Sequence, residues 1–241
     1  MCFYASLTFR KVVGEKLFGA TFRRGDEWNP LYFISGFEHP KLPIIAAEKR
    51  DEFQLMSWGL VPSFIEDEEQ AAKICNLTLN AKAETLPQKP SYRNLTKKQR
   101  CIIPITGFFE WQQEGRKKIP FFIFPKANPI LPLAGLYDQW TNPESGRVHQ
   151  SFSIITTEAN ALMAQIHNFK HRMPAVLSME AMDEWLDSST QEKNALALLN
   201  PAEEGMLEAH QINPDLLASG KNRNIPKIIE PYRPQQGRLF E

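Results

Sequence analysis

Arg100-Cys101-Ile102-Ile103-Pro104-Ile105-Thr106-Gly107-Phe108-Phe109-Glu110-Trp111 is the stretch of this 241-residue chain that says most about its architecture. Residues 101–105 form a short, continuous apolar run rich in isoleucine, the mark of a buried strand. The segment from Gly107 reads as a further strand. Alternation sets Phe109 and Trp111 on one face and Phe108 and Glu110 on the other. A carboxylate enclosed by three aromatic rings is desolvated, so its pKa should rise toward the range of a general acid working near neutrality. The plain alternative is a surface glutamate on an edge strand.

Runs of the same kind recur at 31–34, 44–47, 55–60, 120–124, 131–136 and 152–156. Eighteen Pro against twelve Gly punctuate them. Three segments read as helices: 66–77, 158–166 with Thr156 and Thr157 as caps, and 179–186 after Ser178. The lysine-rich stretch 92–98 reads as a short fourth. The pattern predicts an α+β fold: a single domain with a twisted, mainly antiparallel, partly barrel-like β core flanked by a few short helices. Residues 1–210 are expected to form the catalytic domain, and 211–241 a tail over its surface.

Composition bounds the function. Hydrophobic residues make up 42% and charged residues 23%, enough for a packed core, which excludes global disorder. Lys+Arg and Asp+Glu each number 28, so the net charge is zero and bulk electrostatic coating of nucleic acid is disfavoured. Charge is nonetheless segregated: residues 89–118 hold eight bases against two acids, while 51–70 hold six acids and no base. Three Cys (Cys2, Cys75, Cys101) without a C-x-x-C spacing argue against a disulfide framework and against a metal site. No apolar run reaches a membrane-spanning length, and no leader-like segment opens the chain, so a cytoplasmic setting without membrane contact is expected.

The position of Cys2 is itself chemical information. Initiator methionine is removed ahead of small residues, and a chain that begins at cysteine carries an α-amine beside a thiol. The amine titrates near about 7.7–8.0, against about 10.4 for lysine, so roughly a tenth of it is nucleophilic at pH 7. Such an amine forms a Schiff base with an aldehyde. The thiol can then add to the imine carbon and close a five-membered thiazolidine. An ordinary second residue is the plain alternative.

Other segments add polar groups. In Asn80-Ala81-Lys82-Ala83-Glu84-Thr85, Asn80 can donate and accept hydrogen bonds and Lys82 can meet a phosphate. Ile166-His167-Asn168-Phe169-Lys170-His171-Arg172-Met173-Pro174 is basic and titratable, and Arg172 could grip a phosphate with both arms of its fork. Trp58-Gly59-Leu60-Val61-Pro62 is a Gly/Pro turn whose tryptophan could stack on a base or sit in the core.

Taken together, in this order, these segments resemble the SRAP family (SOS-response-associated peptidase domain), proteins that crosslink to abasic sites in DNA. Met1-Cys2, Trp58–Pro62, Asn80–Thr85, Arg100–Pro104, Gly107–Trp111, Ala134-Gly135-Leu136, Ile155–Asn160 and Arg172-Met173-Pro174 carry the resemblance. It implies a covalent sensor of abasic sites in single-stranded DNA, acting without a cofactor and as a monomer, with associated lyase activity and possible autoprocessing. Cys2, Asn80, Glu110 and His167 are the implied catalytic residues. Asn80 would orient the α-amine, and Glu110 would act as acid and base. Trp58, Gly59, Pro62, Lys82, Arg172 and Tyr4 are the implied DNA contacts.

Departures from the family pattern are informative. Tyr4 stands where the family has Arg, and Lys82 where it has another Arg. The family pattern Ile-His-x-Arg-Met-Pro appears here with two extra residues, which makes His167 the family's histidine and His171 the alternative. Two other classes of function stay open: an N-terminal-nucleophile cysteine amidohydrolase or peptidase, and a reversible single-strand binder.

Overall fold

The computed structural model describes residues 2–23 and 29–233. The expected removal of Met1, and the expected tail beyond residue 233, lie outside them. In chain order the elements are β1 (Tyr4–Leu7), α1 (Lys11–Phe18), β2 (Leu31–Ser35), β3 (Lys41–Ala46), β4 (Lys49–Trp58), α2 (Glu68–Leu77), β5 (Asn80–Lys82) and β6 (Arg100–Ile105). They continue with β7 (Gly107–Glu114), β8 (Lys117–Pro125), β9 (Leu131–Thr141), β10 (Val148–Glu158), α3 (Ala161–Ile166), β11 (Arg172–Pro174), α4 (Met179–Leu186), α5 (Glu192–Ala197) and β12 (Leu207–Gln211).

Every apolar run picked out in the sequence falls within or overlaps a strand. Five of those strands close on themselves. β3 pairs with β4 and β6, β6 with β9, β9 with β10, and β10 with β4. All of these pairings but β4–β10 are antiparallel, so the barrel-like, mainly antiparallel core is observed. Closure leaves no room at Gly135 on β9. A Cβ there would fall 2.2 Å from the Ile103 side chain and 2.9 Å from the Ser153 carbonyl.

The second sheet has the order β12-β8-β7-β1-β2 and is antiparallel throughout. The chain passes from barrel to sheet at Thr106, whose N–H donates to the Ser6 carbonyl at 2.8 Å. Phe109 leaves the main core and joins Phe122, Ile212 and Ile228 in a smaller one. Residues 212–233 cover that smaller core, with Ile228 fully buried. No described helix is long and apolar enough to cross a membrane.

The helices correct the sequence expectations. α4 has the expected bounds, because the Ser178 hydroxyl accepts from the Ala181 N–H at 3.1 Å. α2 starts two residues late, since Asp67 is the cap and accepts from Gln70 N–H at 2.7 Å. Thr156 and Thr157 do not cap α3. They stay in β10, paired with β11, and Asn160 caps instead by accepting from Met163 N–H at 3.0 Å. Residues 92–98 are a succession of turns, with Leu95 N–H donating to Tyr92 O and Lys98 N–H to Leu95 O. Helices α1 and α5 escape the sequence because neither has a side-chain cap.

Arg100 leaves the basic face inferred for residues 89–118. It is fully buried, and its guanidinium donates to the carbonyls of Trp185, Asp187, Thr96 and Lys97. It thereby satisfies the orphan carbonyls at the C-terminal end of α4.

Gly135→Ala forces a methyl group against Ile103 at the closed seam. We expect a loss of stability of about 1–3 kcal/mol, measured as a lower urea midpoint. A midpoint equal to that of the unaltered chain would show that the seam has slack.

Candidate active site

Glu110, His167, Asn80 and Cys2 come from four distant parts of the chain. The register of the second sheet brings the first contact. Ala5 on β1 lies opposite Phe108 on β7, so the chain entering β1 runs past Glu110. Cys2 is fully buried there, and its thiol lies within the electrostatic reach of the Glu110 carboxylate. Burial is the main cause, and Glu110 the second, of a thiol pKa raised well above the ordinary cysteine value.

β5 supplies Asn80. It lies parallel to β10, with Asn80 opposite Ile154. The Asn80 Nδ2 donates to the Cys2 carbonyl at 2.8 Å. Among the described residues, its buried Oδ1 has no hydrogen-bond partner. A buried acceptor left unpaired is costly, and it marks a place where a donor belongs.

Glu110 is 6% exposed. Strand alternation holds as anticipated: Phe109 and Trp111 pack in the smaller core, while Phe108 faces the main one. Burial pushes the Glu110 carboxyl up to about 7, against the pull of the Trp111 N–H and the Lys170 charge. At neutral pH it is therefore poised between acid and base.

His167 ends α3. Its Nε2 lies 3.9 Å from Glu110 Oε2, and its Nδ1 lies 2.8 Å from the Arg172 carbonyl. A carbonyl only accepts, so Nδ1 carries the proton and Nε2 offers its lone pair toward Glu110. Burial, helped by nearby Lys170 and His171, lowers the His167 pKa to about 4, so the ring is neutral at pH 7. His171 is exposed and turns the chain with φ +49°, its N–H bonded to the His167 carbonyl. It stands outside the cluster.

Glu110 and His167 border a cavity of about 410 Å³, also lined by Phe3, Tyr4, Trp111, Gln113, Lys118, Phe169 and Lys170, while Cys2 and Asn80 lie outside its lining, Cys2 fully buried. A larger cavity, about 910 Å³, lies between His39, Cys75 and Arg147, and of the expected residues touches only Gly59. Among the described residues no three His, Cys, Asp or Glu side chains cluster as metal ligands do.

The expected DNA contacts divide. Tyr4 lines the cavity and rests edge-on against Trp111, with centroids 5.2 Å apart. Lys82 is exposed on β5. Trp58 cannot stack on a base: it is fully buried, and its indole N–H donates to the Leu79 carbonyl at 2.9 Å, anchoring the residue before Asn80. Gly59 and Pro62 are buried with it. Gly59 has φ +114°, and a Cβ there would meet His39 and the Cys75 carbonyl at 2.6 and 2.7 Å. Arg172 is not free for a phosphate. Glu84 holds its fork at 2.6 and 3.0 Å, and the Thr156 carbonyl accepts from it at 2.6 Å. Sequence reasoning quoted Glu84 and Phe169 without giving them these partners or this place, and counted Lys118 only among the bases of 89–118. No local pattern betrays these three, because only the tertiary fold gathers them.

Comparison with known proteins bears on the family and the fold. A family profile described as SOS response associated peptidase (SRAP) matches residues 1–218. The abasic site processing protein YoqW of Bacillus subtilis (strain 168) is 36% identical over 208 residues, 86% of this chain and 88% of that protein. The abasic site processing protein HMCES of Gallus gallus is 37% identical over 169 residues, 61% of this chain and 49% of that longer protein. A crystal structure of a protein from Bacteroides thetaiotaomicron superimposes with a TM-score of 0.91 at 38% identity, covering 96% of this chain and all of the other.

The electrostatics of Glu110 make a stability prediction. Its pKa is about 7 folded against an ordinary 4.5. Between those values the folded state holds a proton that the unfolded state has lost, so stability falls as pH rises through that window. Glu110→Gln removes this loss. The variant should gain on the unaltered protein by on the order of 3 kcal/mol from pH 4.5 to 8, read from denaturation midpoints. A pH-independent difference would contradict the burial-raised carboxyl.

Proposed function

The chain belongs to the SRAP family, and we propose that it processes abasic sites in single-stranded DNA by covalent capture at Cys2. The observation that carries this reading is Asn80, bonded to the Cys2 carbonyl while its buried Oδ1 lacks a donor among the described residues. A cysteine freed of Met1 has such a donor in its α-amine.

The chemistry follows from the protonation states. Protonated Glu110 gives its proton to the furanose ring oxygen as the C1′–O4′ bond breaks, and the C1′ hydroxyl passes its proton toward His167 Nε2, which leaves the C1′ aldehyde. The Cys2 nitrogen bonds to C1′, water leaves, and a C=N bond forms. The thiol then adds across that bond, sulfur to C1′ and proton to nitrogen, closing the thiazolidine. His167 Nε2, neutral and aimed at Glu110, takes up the proton in transit. An imine intermediate also allows β-elimination of the 3′ phosphate, the lyase outcome. Lys118 and Lys170 at the cavity mouth meet the backbone phosphates.

The hydrolase alternative needs a thiolate, and burial holds the Cys2 thiol protonated. The reversible-binding alternative drew on Trp58 and Phe108 as stacking rings beside the bases of 89–118, and both rings are fully buried.

An abasic single-stranded oligonucleotide mixed with Met1-free protein should give a species that survives denaturing electrophoresis. Cys2→Ala should abolish it. Asn80→Ala and Glu110→Gln should each slow it by roughly 10- to 100-fold. No adduct, or an undiminished adduct from Cys2→Ala, would sink the proposal. The rate should also fall above about pH 7, as Glu110 loses its proton, and this alkaline limb should vanish in Glu110→Gln. A limb that persists unchanged in that variant would assign the acid elsewhere.

A further inference from the structure

Phe169 is 73% exposed, yet it lines the cavity that holds Glu110 and His167. Among the described residues no aromatic ring lies against it. Lys170 follows it in sequence and lines the same cavity.

The segment is fastened at both ends and in the middle. Where β1 stops covering β7, the edge of β7 lies open, and the loop after α3 takes that edge. Asn168 Oδ1 accepts from the Gln113 N–H, and Asn168 Nδ2 donates to the Gln113 carbonyl, both at 3.0 Å. Gln112 Nε2 donates to the Gln165 carbonyl at 3.0 Å. The turn is closed by His171 N–H on the His167 carbonyl at 2.9 Å, and its far end is tied by Ala159 N–H on the His171 carbonyl at 3.0 Å. Two side-chain bonds to a strand edge on one side and a left-handed residue on the other thus fix the backbone from which an unshielded ring projects. A loop so held has prepaid part of the ordering cost of binding.

We propose that Phe169 is a stacking platform for the nucleobase that flanks the abasic sugar in the cavity. This rests on the abasic-site reading above. A missing base leaves its neighbour with one bare face, and an aromatic side chain can replace the lost stacking partner. Stacking is indifferent to base identity, because every base has a π-face. Lys170 beside the ring supplies the charge for the adjoining phosphate, so one loop holds both base and backbone.

The test uses the Met1-free protein and single-stranded oligonucleotides carrying a tetrahydrofuran abasic analogue, which has no aldehyde to react. A 2-aminopurine sits on the 5′ side of the analogue in one oligonucleotide and on the 3′ side in another. The unaltered protein should quench one of the two. Phe169→Ala should lose that quenching and bind about tenfold more weakly, in keeping with one base–aromatic stack, while Phe169→Trp should restore both. Equal quenching and affinity in the unaltered protein and Phe169→Ala would overturn the proposal. The natural abasic oligonucleotide, run in parallel, separates the two ideas. An adduct with no Phe169 dependence of quenching removes the platform and leaves covalent capture standing. Phe169-dependent quenching without an adduct upholds the platform and removes covalent capture.

Discussion

One strand is shared by nearly everything else. β10 pairs with β9 and β11 along one edge and with β4 and β5 along the other. Its pairings with β9 and β4 close the five-strand ring. Its pairings with β5 and β11 hang two three-residue strands on the rim, and these are too short to stand alone. β5 carries Asn80 and Lys82, and β11 begins at Arg172. The chain leaving β10 enters α3, whose last turn delivers His167. A polar group on each arm locks the arrangement: Arg172, on β11, reaches across β10 to Glu84, just beyond β5. The site is thus mounted on the barrel on one side and on the second sheet, through β1 and β7, on the other.

Burial sets the chemistry in a single direction. It disfavours charge in every group it covers, so it raises the Glu110 carboxyl and the Cys2 thiol and lowers the His167 imidazole. The result at neutral pH is a floor of mostly uncharged donors and acceptors with lysines only at the mouth. This division explains how a chain with 28 bases and 28 acids can suit a polyanion. On the proposed reading, contact with backbone would be confined to a few positions and the interior reserved for one sugar. On that reading, zero net charge would keep intact strands from competing by bulk attraction.

What could be read beforehand was what local pattern encodes. Isoleucine and phenylalanine runs gave the strands, and alternation around Glu110 gave its enclosure. Ser178 gave α4, because a cap is a local event. Tertiary contacts decided the rest. Thr156 and Thr157 look like caps, but flanking strands hold them extended. Trp58 looks available beside a Gly/Pro turn, yet its N–H is needed at Leu79. Arg172 looks like a phosphate ligand until Glu84, eighty-eight residues away, is seen in its fork. Arg100 seemed part of a basic face, and it is a plug beneath α4. Partners so distant in sequence leave no trace in spacing. His167 and His171 differ in the same manner, since only the loop's attachment to β7 separates the buried ring from the exposed one.

The closed ring also governs when reactivity appears. β4 and β10 are separated by some ninety residues, and their parallel pairing must wait for the intervening strands. Contacts of such long range make for slow folding, because the entropy of loop closure is lost before the contacts form. β5 and β11 find their places only on a finished β10. An unfolded or half-made chain therefore lacks the Asn80 anchor and the His167–Glu110 pair. Cys2 would remain an ordinary amine and thiol, open to stray metabolic aldehydes but without help in capturing them. If Cys2 reacts as proposed, barrel closure would time the onset of that reactivity and confine it to chains that have completed their fold.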